Sequence, residues 1–170
     1  MNEQDRETRR TGAHTSAGGD RVPGSGIRPE EGEKDWYEKL IRYRNERNPF
    51  VRRLGIAVEE LRPGYARVRK VVEAEDANPL GTAHGGVYFA VADSAAGSAA
   101  CTHGRKCVTV DAAWHFFRAA VPGDVLTAEA EELKRGGTLS VYEVRIRGRD
   151  DTLLGSGTFT FYLLDEALEL

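Results

Sequence analysis

From residue 35 onward the chain sorts into three kinds of apolar spacing. Trp36, Tyr37, Leu40, Ile41 and Tyr43 recur at helical intervals and predict an N-terminal helix. Asp35 followed by Glu38 reads as its capping-box start, Glu38 and Arg42 as an i,i+4 pair, and Pro49 as the limit it stops before. Strict alternation then takes over. Leu54, Ile56 and Val58 predict a strand over 54–61, Pro63-Gly64 a turn, and Ala66, Val68 and Val72 a return strand over 65–72. The third texture runs from His84 to Cys101. It is apolar on nearly every side, rich in Ala, Gly and Ser, and free of proline, so it predicts one buried helix of about 18 residues and about 27 Å. Alternation resumes over 106–118, 124–134, 138–149 and 152–164. The joints between these strands are Pro122-Gly123, Arg135-Gly136-Gly137 and Asp150-Asp151. Several long antiparallel strands and one wholly apolar helix have one compact solution, an α+β domain whose sheet curls around the helix.

One residue breaks the texture of the central helix. Asp93 sits at its middle, where a carboxylate is rarely buried without a partner. The helix start is unusual as well. Gly85 and Gly86 leave the first N–H groups open to close approach, and a helix N-terminus carries unpaired donors and partial positive charge. Gly85 is therefore a candidate oxyanion donor, and Asp93 a candidate nucleophile or base that activates water. Eight residues of helix separate them by about 12 Å, whereas both would have to lie within about 3–3.5 Å of one reacting carbonyl. Two antiparallel copies of the helix satisfy that condition. The expected assembly is a symmetric homodimer with two composite sites.

Asn78, five intervening residues, His84-Gly85-Gly86, and Asp93 nine positions after the histidine form a pattern. It resembles that of the acyl-CoA thioesterases of the hotdog fold, most of all the phenylacetate-degradation branch, which acts on phenylacetyl-CoA and hydroxyphenylacetyl-CoA. The resemblance spans roughly residues 48–164. It implies an antiparallel sheet wrapped around one long helix, acyl-CoA as substrate, no cofactor, and dimers that pair into tetramers. It also implies roles for single residues. His84 would lie near the thioester sulfur, and Asn78 would bond the carbonyl or order the water. Thr109 would hold the water beside the acid, although Asp111 shares its face by strand periodicity. The turn Lys134-Arg135-Gly136-Gly137 would grip the nucleotide of coenzyme A, with Arg118 and Lys106 as further cations. Simpler readings stand beside these: a helix cap for His84, an Asx turn for Asn78, and solvated surface for the basic turn.

Composition narrows the field further. Net charge is −3 with both signs interspersed, which gives no nucleic-acid or membrane footprint. No apolar run follows the first basic residues, so a cytoplasmic protein without a signal peptide is expected. Cys101 and Cys107 read as free thiols, because His103 between them gives too few ligands for a metal. Residues 1–34 are polar and glycine-rich and predict a disordered leader, leaving 35–170 as one domain. Tyr88 and Phe89 are candidates for an acyl-pocket wall. Other functions remain in view: an acyl-CoA-binding sensor without catalysis, a hydratase or dehydratase on the same fold, and a partner-binding protein that acts through its leader. The hydratase fits poorly, since His84 precedes the acid instead of following it.

Overall fold

The computed structural model describes residues 33–170. In chain order these form α1 (Glu33–Arg47), α2 (Pro49–Arg53), β1 (Ala57–Arg62), β2 (Tyr65–Val71), α3 (Gly85–Cys101), β3 (Arg105–Phe116), β4 (Val125–Arg135), β5 (Leu139–Arg147) and β6 (Leu153–Ala167). The six strands make one antiparallel sheet in the order β1-β2-β4-β5-β6-β3. Helix α3 packs in the hollow of that sheet, against β2, β3, β4 and β5. This is the hotdog arrangement expected above.

The apolar rod folds this way because nearly all of it can be covered. Val91, Ala92, Ala95, Ala96, Ala99 and Ala100 have no solvent exposure, and they face inward residues of the sheet such as Val68, Val144 and Phe159. Small side chains let sheet and helix approach closely, and a fully buried valine such as Val91 contributes about 2 kcal/mol. Ser94 and Ser98 are buried with them. Each hydroxyl donates to a main-chain carbonyl one turn earlier, Ser94 to Ala90 O at 2.7 Å and Ser98 to Ser94 O at 2.6 Å. They therefore bring no unsatisfied group into the core.

The largest departures from the sequence expectation are at the N-terminal end, while the later elements agree to within one to three residues. Helix α1 begins at Glu33, so Asp35 is not its cap; Asp35 lies inside the helix and pairs with Lys39 at 2.7 Å, where a Glu38–Arg42 pair was expected. Residues 49–53 form α2, which the alternation reading missed. Asn48 caps it by accepting from Val51 N–H at 3.2 Å, and Pro49 takes the first turn, where its missing N–H costs nothing. Leu54 is therefore the end of a helix, and β1 starts only at Ala57. The expected leader falls almost wholly on residues 1–32, outside the described residues.

The N-terminal helix closes the β1 side of the sheet. The Asn45 carboxamide accepts from Val58 N–H at 2.8 Å and donates to Val58 C=O at 3.0 Å, as a neighbouring strand would. Arg44 reaches α3 and donates to Ser98 Oγ at 3.0 Å. The opposite edge, β3, pairs only with β6 among the described residues. Gly155 and Gly157 of β6 let the Trp114 ring of β3 lie against their backbone; a Cβ on Gly157 would sit 2.1 Å from Ala113 O.

Candidate active site

The start of α3 is built as its sequence suggested. His84 is the N-cap, in extended conformation, and its Nδ1 accepts from Gly86 N–H at 2.9 Å. In the neutral ring this bond leaves the proton on Nε2 and aims a donor away from the helix. Capping and a direct part in chemistry are thus compatible for His84. Val87 N–H bonds His84 C=O at 2.9 Å, while Gly85 N–H has no acceptor among the described residues. Gly85 lines an open cleft of ≈ 300 Å³ with Ala83, Tyr88, Phe116, Phe117 and Arg118.

Gly86, Phe89 and Asp93 follow one another at three and four residues, and together they form the stripe of α3 that its own sheet leaves uncovered. Asp93 is half-buried there, and Thr109 Oγ1 of β3 donates to its Oδ1 at 2.8 Å. The bond uses the hydroxyl proton and leaves the Thr109 oxygen free to accept. Asp111 does not compete for this place. The ladder pairs Thr109 with Phe161 but Asp111 with Thr160, so Val110 is an extra residue in β3. The bulge resets the alternation and turns Asp111 to the outer face, which corrects the shared face expected from periodicity.

Asn78 is a loop builder. Its Oδ1 accepts from Leu80 N–H at 2.8 Å and Thr82 N–H at 3.3 Å, and its Nδ2 donates to Thr82 Oγ1 at 2.9 Å. The Asx-turn reading describes what this side chain does in the isolated chain. The loop it shapes is stitched into the molecule by Ala83 N–H to Ala120 O and His84 N–H to Asp76 O, both at 2.8 Å.

The two candidate aromatic residues separate. Tyr88 is buried; its hydroxyl donates to Arg118 O at 3.2 Å and accepts from Ala120 N–H at 2.6 Å, and burial raises its pKa. Phe89 is 39% exposed and packs on Phe159 at 5.3 Å between ring centres. Trp114 and Phe116, which the sequence reading did not single out, complete an aromatic wall between Gly85 and Asp93. Their inward direction follows from the bulge, which sequence periodicity did not contain. Cys101 and Cys107 are free thiols with sulfurs 3.9 Å apart.

Within one chain, the basic turn lies far from Gly85. Thr102, at the C-terminal end of α3, accepts from Gly64 N–H, and Gly64 C=O in turn accepts from Glu132 N–H. Arg105 donates to Gly137 O. The turn Lys134-Arg135-Gly136-Gly137 therefore belongs to the C-terminal end of a helix about 25 Å long, with Gly85 at the other end. Gly136 is required by the turn itself, since a Cβ there would meet Leu139 O at 2.6 Å. Arg118 lies at the Gly85 end, and Lys106 is paired with Glu166 at 2.7 Å. No helix among the described residues is long and apolar enough to cross a membrane.

Comparison with known proteins agrees with this fold. The family model of the thioesterase superfamily matches residues 80–154. An acyl-coenzyme A thioesterase, PaaI of Escherichia coli K12, is 31% identical over 66% of this chain and 79% of its own. The structure of E. coli PaaI, from the phenylacetic acid degradation operon, superposes with a TM-score of 0.74 at 25% identity, covering 81% of this chain and 99% of that one. A protein of Streptococcus pneumoniae TIGR4 described as a hypothetical thioesterase, solved with coenzyme A, gives a TM-score of 0.64 at 27% identity, covering 66% of this chain and 91% of that one. Residue pattern, fold and relatives converge: this chain belongs to the thioesterase superfamily and is a thioester hydrolase of the hotdog fold.

Proposed function

We propose that the chain hydrolyses acyl-CoA thioesters, with an aromatic acyl group such as phenylacetyl or hydroxyphenylacetyl, at two composite sites of a homodimer. The observation that carries this reading is the Thr109–Asp93 hydrogen bond on the uncovered stripe of α3. It supplies an oriented carboxylate with a hydroxyl oxygen beside it, where α3 meets the open β3 edge of the sheet. The relatives' acyl-coenzyme A activity and bound coenzyme A support the substrate class. The wall of Phe89, Trp114 and Phe116 suits an aryl group.

In this mechanism the thioester carbonyl docks on Gly85 N–H of one subunit. Asp93 of the partner subunit takes a proton from a water that Thr109 steadies, and the water oxygen bonds the carbonyl carbon. The helix N-terminus holds the resulting oxyanion. The C–S bond then breaks while His84 Nε2–H bonds the departing sulfur, and the proton held by Asp93 passes to the thiolate. Attack by Asp93 itself, through an anhydride that water opens, uses the same groups. Asn78 contributes by shaping the loop before the helix. The basic turn of the partner subunit, Lys134 to Gly137, reaches toward the Gly85 end once the helices run antiparallel, and grips the nucleotide. Dimers pairing into tetramers fit the apolar outer row Leu139, Tyr162 and Val108.

The test is release of free thiol from phenylacetyl-, hydroxyphenylacetyl-, benzoyl- and straight-chain acyl-CoA. The expected result is turnover with the aryl-acetyl members fastest. Binding without thiol release would make the protein a sensor, and a preference for straight chains would overturn the aromatic assignment. A single turnover in ¹⁸O-labelled water separates the two attack modes: label in Asp93 marks the anhydride route.

A further inference from the structure

Lys70 stands on β2 between Val68 and Val72, at a position whose alternation points into the core. It is 1% exposed, and Asp76 beside it is 7% exposed. Lys70 Nζ lies 2.7 Å from Asp76 Oδ2 and also donates to Leu54 O and to Val71 O. Each acceptor belongs to a different part of the molecule. Leu54 ends α2, Val71 ends β2, and Asp76 closes the short 3-10 turn Ala74–Asp76. Asp76 Oδ2 accepts in addition from Glu73 N–H at 2.8 Å, and its main-chain oxygen accepts from His84 N–H at 2.8 Å. One ammonium group thus ties α2 and β2 to the residue that holds His84, immediately before α3.

Asp76 also lines a cavity of ≈ 390 Å³, together with Phe50, Leu54, His84, Gly86 and Val87. A buried ion pair seldom adds stability over apolar residues of the same volume, so fold stability alone gives little reason for it. What it does supply is fixed geometry, because its bonds are satisfied in one arrangement only.

We propose that Lys70 and Asp76 are positioning residues for the hydrolysis. They hold residues 73–84 so that the His84 ring and Gly85 N–H stand in register with the acyl carbonyl. The inference rests on the oxyanion role proposed for Gly85. A displacement of about 1 Å at such a donor costs up to ~10²-fold in rate.

The experiment compares wild type with the Lys70→Met/Asp76→Asn double variant, which removes both charges at similar volume and strands neither. The expected result is a folded dimer with kcat for the best acyl-CoA lowered ~10-fold and KM within ~2-fold. Amide hydrogen exchange should quicken across residues 73–86 and stay unchanged across 94–101. Lys70→Gln with Asp76→Asn, which removes both charges but keeps a donor for Leu54 O and an oxygen for Glu73 N–H, serves if the first double variant fails to fold, and should show a smaller change of the same kind. A folded variant with unchanged kcat, or with exchange unchanged at 73–86, overturns the proposal. If wild type releases no thiol from any acyl-CoA, the hydrolase mechanism fails, and hydrogen exchange alone then decides whether the pair holds the loop.

Discussion

In the proposed mechanism, Asp93 and Thr109, joined by a hydrogen bond, carry the chemistry at the smallest scale. Asp93→Asn keeps the shape and the bond to Thr109 but removes the base, and thioester turnover is expected to fall ~10²-fold or more with the dimer intact. Thr109→Ala should cost ~10-fold, with Thr109→Ser restoring most of it; steady-state thiol release checks both. Tyr65 offers a pH prediction away from the site. Its hydroxyl donates to Glu129 at 2.8 Å, and burial followed by that carboxylate raises its pKa to about 12. A raised folded-state value means that the stabilisation is complete below the ordinary tyrosine pKa of about 10 and is lost as pH rises toward 12. Thermal midpoints should therefore drop over that window, and less steeply in Tyr65→Phe.

The decisive element is α3, and its first residue allows a clean test. His84 has φ −64° and ψ 140°, the extended conformation that a following proline requires. Proline is also favoured at a first helical position. Gly85→Pro should therefore preserve the helix while deleting the proposed oxyanion donor, at the cost of a small shift of the exposed Phe116 ring 3.3 Å from the new Cβ. Circular dichroism is expected to match wild type, and kcat to fall ~10²–10³-fold. The helix itself was legible in the sequence to within one residue, because an unbroken small-apolar run has one stable outcome. The stop before Pro49 was legible too, but the short helix that Asn48-Pro49 opens was not, because alternation through Leu54 and Ile56 imitates a strand while the cap and proline specify a turn of helix. Lys70 was legible in principle: a lysine at an inward position of an alternating strand must have a buried partner. Which partner it finds depends on the loop that follows β2.

For the whole molecule, the exposed edge of β3 and the uncovered stripe of α3 lie together. Val110, Phe116 and Phe117 on or beside β3 and Phe89 on α3 are all substantially exposed, and an unpaired edge with such side chains is a surface that a second copy can cover. Sedimentation is expected to show a dimer or a multiple of it. Mixing the two inactive variants Asp93→Asn and Gly85→Pro, after unfolding and refolding together, tests the composite site. Half the random dimers are hybrids with one intact site of two, so about a quarter of wild-type activity should return. No recovery would place Gly85 and Asp93 in separate functions.

The sequence by itself determined the apolar helix, the alternating strands and the spacing from Asn78 to Asp93, because these follow from local periodicity and from residue types whose behaviour needs few neighbours. The tertiary structure decided which groups meet. It brought Thr109 to Asp93 across 16 residues, turned Asp111 away through one extra residue in β3, and set the basic turn at the far end of α3 from Gly85. Contacts of that kind depend on strand register and sheet curvature, and a shift of one residue in register reverses the face on which a side chain falls.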